Sequence, residues 1–157
     1  MIRVYDVGSL PFEGDYNKLL EGARTYPRET PSSKLFEEAV IKGLKGKLEA
    51  GVDVPNFPQY RDMNEMFLEM IEGIEKIENR YYMVSEKLAL RGSGVIPEVE
   101  VIRRNTARLS QEFGEIRLKV CITGPYTLSQ LFGYRDPKLF ASLGDVLAEI
   151  TSRSIFK

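Results

Sequence analysis

A chain of 157 residues with 43% hydrophobic side chains is about one domain long and carries enough apolar material for an ordinary core. Its 22 basic and 23 acidic residues nearly cancel without forming a basic block, and no apolar run nears a membrane span or forms a secretory leader; the expectation is a cytoplasmic protein with no nucleic-acid or membrane partner. One cysteine, Cys121, excludes an internal disulfide, and the absence of histidine removes Ser-His-Asp and Cys-His catalysis together with the commonest zinc ligand.

Ile2 to Val7 reads as a first strand that Gly8-Ser9-Leu10-Pro11 breaks at once. Asp15 is placed to cap a short helix carrying Tyr16, Leu19, Leu20 and Ala23, bounded by Pro27 and Pro31. Ser32 or Ser33 then caps a longer helix whose apolar positions Phe36, Val40, Leu44 and Leu48 recur at helical spacing. Gly43 and Gly46 within it weaken a helix by about 1 kcal/mol each relative to Ala, which implies close packing there. Ala50-Gly51 ends it, and Val52 to Val54 is a very short second strand before Pro55-Asn-Phe-Pro58.

From Asp62 onward, Met63, Met66, Phe67, Met70, Ile71 and Ile74 predict an amphipathic helix. Residues 75 to 95 fit either a hairpin or an extended excursion, with strand character at Tyr81 to Val84 and a flexible break at Gly92 to Gly94. Glu98 to Phe113 reads as one helix closed by Gly114. Val120 to Thr123 suits a strand covered on both faces, and Cys121 within it reads as a small core residue. Gly124-Pro125 stops that strand, and Thr127 is placed to cap the helix begun by Leu128, Leu131 and Phe132. The carboxyl end of such a strand is where ligands sit in α/β proteins. Asp136-Pro137 opens a last helix with Leu139, Phe140, Leu143, Val146, Leu147 and Ile150 on one face. Strand-then-helix order predicts an α/β fold of TIM-barrel type, parallel strands with outer helices. Three or four strands, where a closed barrel needs eight and roughly 250 residues, predict about half a barrel.

Three motifs in order carry a resemblance. They are Asp6-Val-Gly-Ser-Leu-Pro11, then Ala50-Gly-Val-Asp-Val54 with Gln59-Tyr-Arg-Asp-Met63, then Lys119 to Leu128 with its Thr-Gly-Pro-x-Thr-Leu loop. Together they resemble the catalytic domain of cobalamin-independent methionine synthase, within the superfamily it shares with uroporphyrinogen decarboxylase. The resemblance implies that residues 1–157 are the amino-terminal half of such a barrel. It further implies a methyltransferase moving a methyl group to the thiol of homocysteine from a folate, pterin or corrinoid-protein donor.

By the same resemblance Val7, Gly8 and Ser9 hold the amino acid end of the substrate by backbone, Gln59 orients its amine, and Thr123, Gly124, Pro125 and Thr127 line the second loop. The family's zinc ionises the homocysteine thiol near neutral pH, and its ligands, a His, two Cys and a Glu, are expected outside this chain, with no metal held by it alone. Arg61 and Asp62 read equally as a helix-start ion pair or as ligand contacts. The alternatives are a non-catalytic half-barrel module that self-associates through its open edge, and a decarboxylase-like or corrinoid methyltransferase relative.

Overall fold

The computed structural model describes residues 2–156. In chain order its elements are α1 (Tyr16–Thr25), α2 (Pro31–Glu49), α3 (Glu65–Leu68), β1 (Ile71–Glu72), β2 (Ile74–Ile77), β3 (Arg80–Met83), β4 (Ala89–Leu90), α4 (Pro97–Arg104), α5 (Thr106–Phe113), α6 (Pro125–Ser129) and α7 (Pro137–Ser154). They divide into two units. The first holds the described residues through Arg61 together with Ile96–Cys121, and the second Asp62–Val95 together with the described residues from Ile122 onward. No described helix is long and apolar enough to cross a membrane.

In the first unit, α1 begins where Asp15 Oδ1 accepts the N–H groups of Asn17 and Lys18, two of the donors a helix start leaves without partners. The cap of α2 is Thr30, not Ser32 or Ser33: Thr30 Oγ1 accepts the Ser33 N–H at 3.0 Å and Pro31 stands in the first turn. Ser32 and Ser33 are buried inside that turn instead. Leu19 and Ala23 of α1 meet the stripe Phe36, Val40 and Leu44 of α2, all buried, each large side chain contributing about 1.5–3 kcal/mol. Gly22 lets the two helices touch, since a Cβ there would lie 2.1 Å from the Ser32 carbonyl oxygen. Of the two glycines predicted to pack closely, Gly43 does, with Tyr60 Oη 2.4 Å from a notional Cβ, whereas Gly46 faces open space. The helix read from Glu98 to Phe113 is two, α4 and α5, because Asn105 interrupts it: its side-chain amide donates to the Val101 carbonyl at 3.0 Å and to Glu37 Oε1 at 2.7 Å. Gly114, at φ +77°, closes α5.

The expected half barrel is not formed. The sheets are two antiparallel pairs, β1 with β4 and β2 with β3, and helix is the dominant element. In the first unit, parallel pairing among the described residues is confined to the isolated bridges Tyr5 to Val54, Ser9 to Gln59 and Asn56 to Lys119. The physical reason is punctuation. Gly8 sits at φ +104° and Pro11, Pro55 and Pro58 lack N–H groups, so no ladder extends beyond single rungs. The segment Val120 to Thr123 is likewise no strand, and Val120, Cys121 and Ile122 are half-buried rather than enclosed on both faces.

The second unit departs most from the helical reading. The helix predicted from Asp62 to Ile74 is reduced to the single turn of α3, which Asp62 opens by accepting the Asn64 and Glu65 N–H groups at 2.9 Å each. Gly73 at φ +91° then turns the chain, sending Ile71 into pairing with Leu90 and Ile74 with Met83. Of the two options for residues 75 to 95 the hairpin is realised, with Glu78 at φ +53° in its turn. The last helix, α7, starts as read: Asp136 Oδ1 accepts the Leu139 N–H at 2.7 Å, and Leu139, Leu143, Val146, Leu147 and Ile150 are buried.

Candidate functional site

The first unit brings four of the sequence-selected residues together at one corner. Val7, Gly8 and Ser9 run beside Gln59, whose N–H donates to the Gly8 carbonyl at 3.0 Å while its own carbonyl accepts the Leu10 N–H at 2.9 Å. This is the pattern of a parallel rung, so the N–H of Ser9 faces away from Gln59, and it carries no hydrogen bond among the described residues. Gly8 is required twice over. Its φ of +104° lies where L side chains are strained, and a Cβ would meet Asn56 Nδ2 at 2.1 Å. Gln59 is 9% exposed and its Nε2 donates to the Arg61 carbonyl at 3.4 Å, which leaves Oε1 as the acceptor end.

Beneath this corner lies a polar network of which the motifs held Asp6 and Lys119 but not Lys47 or Asn56. Asn56 is wholly buried, and its Oδ1 accepts the Cys121 N–H at 2.8 Å while Nδ2 donates to the Phe57 carbonyl at 3.2 Å. Lys47 projects from the last turn of α2 and is 7% exposed. Its ammonium donates to Asp6 Oδ2 at 2.6 Å, to the Asn56 carbonyl at 3.0 Å and to the Gly8 carbonyl at 3.1 Å. Asp6 Oδ1 accepts the Asn56 N–H at 2.6 Å, and Lys119 Nζ donates to the Asp6 carbonyl. Burial alone would raise the Asp6 carboxyl, yet the hydrogen bond from Lys47, the Asn56 N–H and the lysine's charge outweigh it and hold Asp6 below its ordinary value. Next to it, Arg61 and Glu98 form a buried two-pronged ion pair, Nε to Oε1 and Nη2 to Oε2, each 2.8 Å. Glu98 lies in the first turn of α4, where the helix dipole favours a negative charge.

No family model and no curated protein matches the chain.

The remaining four selected residues lie in the second unit. Thr123 is buried and its Oγ1 donates to the Met63 carbonyl at 2.6 Å. Gly124 is the N-cap of α6 at φ −73°, with nothing within 4 Å of a notional Cβ, so neither a positive φ nor a close approach demands glycine there. Pro125 occupies the first helical turn. Thr127 is exposed within α6 and does not cap it, which corrects the sequence reading by a turn. Arg61 and Asp62 do not pair as a helix start in the way the sequence suggested: Arg61 grips Glu98, and Asp62 accepts the Asn64 and Glu65 N–H groups at the entry to α3.

The residues present do not fit the zinc that the resemblance implies. Among the described residues no group of three His, Cys, Asp or Glu side chains could hold a metal ion, and Cys121 stands alone. What the corner can do chemically is recognition: an outward N–H at Ser9, a side-chain carbonyl at Gln59, and a cation behind the Gly8 carbonyl.

Lys47 was detectable in the sequence. It stands three residues after Leu44 on the buried stripe of α2, where Leu48, the predicted core residue, is only half-buried. A lysine on an apolar stripe must find acceptors, and that requirement is the signal.

Proposed function

We propose that this chain binds homocysteine as part of a methyltransferase of the methionine synthase type. One observation carries the reading. Ser9 and Gln59, separated by fifty residues of sequence and selected by two different motifs, stand as partners in one rung. The rung carries an exposed backbone donor for a carboxylate, the Ser9 N–H on the side away from Gln59, and on its other strand a side-chain acceptor for an ammonium, the two charges of an amino acid head group. In the proposed reaction the thiolate sulfur takes the methyl carbon, and the electron pair of the broken bond stays with the donor, a folate, a pterin or a corrinoid protein. This chain's residues contribute binding and orientation. Titration of L-homocysteine into the chain, followed by calorimetry and by the amide resonances of Ser9 and Gln59, tests it. Saturable binding that moves both resonances supports the reading, and no heat with no movement at millimolar ligand overturns it.

A second reading, a non-catalytic module that pairs with a second copy of itself, is favoured by the first extended segment, where Ile2 is 91% and Val7 81% exposed. Sedimentation equilibrium distinguishes the two: a monomer at all concentrations defeats it.

A further inference from the structure

The Gly8 carbonyl and the Ser9 N–H are the two ends of one conjugated peptide unit. At its oxygen end it accepts two hydrogen bonds, one from the Gln59 N–H at 3.0 Å and one from the Lys47 ammonium at 3.1 Å. At its nitrogen end it has none among the described residues, and Ser9 is exposed. A cation bonded to an amide oxygen draws electron density toward that oxygen and strengthens the N–H as a donor, the more so where the cation is removed from water. Lys47 meets that condition. It is buried, and its three N–H groups are divided among Asp6, Asn56 and Gly8, so the ammonium is held in one place.

The charges around it balance, two ammonium groups against two carboxylates. The Asp6 carboxylate offsets Lys47, and the second ammonium, Lys119, donates to the Asp6 backbone carbonyl and lies over the Tyr5 ring without a carboxylate partner among the described residues. Asp53, further up the segment, is engaged by the Val4 N–H.

We propose that Lys47 is a positioning residue that fixes and polarises the Gly8–Ser9 peptide, so that the Ser9 N–H takes a ligand carboxylate; that the carboxylate is homocysteine's rests on the function proposed above. Lys47 touches no ligand in this scheme and acts only through the peptide.

The test compares wild type, Lys47→Met, and Lys47→Met combined with Asp6→Asn, which removes both charges together and keeps a folded protein if the lone carboxylate destabilises the single variant. Two ligands are titrated, homocysteine and its carboxamide, which keeps the ammonium and lacks the carboxylate charge. The expected result is an affinity for homocysteine lowered about tenfold or more in the variants, with the carboxamide changed less than about twofold, and restoration by Lys47→Arg. A general loss of structure would lower both ligands alike, and that outcome, or no change in either, overturns the proposal. Failure of both variants to fold also counts against it, since Lys47 is then a stability residue. The ligand-free Ser9 amide proton gives a separate readout, expected to move upfield without Lys47. If wild type binds no homocysteine, the methyltransferase reading fails, and the Ser9 amide shift alone decides the role of Lys47.

Discussion

Removing one partner of the Arg61–Glu98 pair is predicted to be among the most destabilising polar changes in the first unit. Glu98 is 0% and Arg61 6% exposed, and the two are joined by parallel bonds of 2.8 Å, so solvent screening is slight. Breaking a buried pair from one side leaves an uncompensated charge and destabilises by about 3–5 kcal/mol. That is a large share of the roughly 5–15 kcal/mol that holds a typical domain folded. Arg61→Met, which takes the cation from the buried Glu98 carboxylate, should therefore shift the urea midpoint by at least about 1 M, given slopes of about 1–3 kcal/mol per molar urea. Arg61→Met with Glu98→Leu together removes both charges and is expected to recover most of the loss, ending within about 1–2 kcal/mol of wild type. Unfolding should be followed by circular dichroism and by hydrogen exchange of α4, so that the transition of the first unit is read separately from any other. The reasoning is refuted if Arg61→Met loses less than about 1 kcal/mol, or if the double variant is as unstable as the sum of the singles.

Gly8→Ala combines a disfavoured φ of +104° with a Cβ 2.1 Å from Asn56 Nδ2, and should destabilise by about 2–5 kcal/mol in thermal melts; a loss under about 1 kcal/mol would contradict the corner's geometry. Gly46→Ala goes the other way, gaining about 0.5–1 kcal/mol because the position is helical and open, and any destabilisation would show a hidden contact. Asp6 has a folded value below its ordinary 3.8, so its contribution is present above that pH and lost as pH falls through the lowered value. Acid titration of stability should therefore steepen below about pH 4, and Asp6→Asn should flatten it. At the other extreme, Tyr26 is pushed up to about 12 by burial and then by the nearby Glu37 carboxylate. Its contribution is complete below the unfolded value of 10 and lost as pH rises toward 12, a window that Tyr26→Phe should abolish in melts followed across alkaline pH.

Structure that depends on neighbouring residues was partly legible in the sequence, although the caps of α2 and α6 are Thr30 and Gly124 and not the serines and Thr127 assigned to them. Asp15 and Asp136 cap the helices assigned to them because a carboxylate reaches the N–H groups two or three residues on, whatever lies elsewhere in the fold. Structure that depends on distant residues was not. Met66, Phe67, Met70, Ile71 and Ile74 satisfy a helical period, yet the same residues supply one helical turn and two strands once Leu90 and Met83 are there to pair. A left-handed Gly73 was the local mark of that switch. The half-barrel expectation failed for the same reason. Repeated strand-then-helix order indicates a parallel sheet only if successive strands extend their ladders, and here Gly8, Pro55 and Pro58 limit the pairing to single rungs.

At the candidate site the split between legible and hidden falls between backbone and side chains. Gly8 stood out because a glycine that ends an extended segment demands an explanation by itself, and Ser9 and Gln59 were selected by separate motifs, their pairing becoming visible only in the fold. Asn56 could be named only once its partners were known, whereas Lys47 left a signal on the apolar stripe of α2 and Arg61 was noted without its partner Glu98. A lysine on the apolar stripe of α2 with no ligand would be a liability of burial. The Asp6 carboxylate and two backbone carbonyls remove that liability, and in doing so they fix the ammonium behind the Gly8–Ser9 peptide. If the proposed role of Lys47 holds, stability and ligand binding at this corner rest on the same three hydrogen bonds, and a variant that loosens the lysine weakens both.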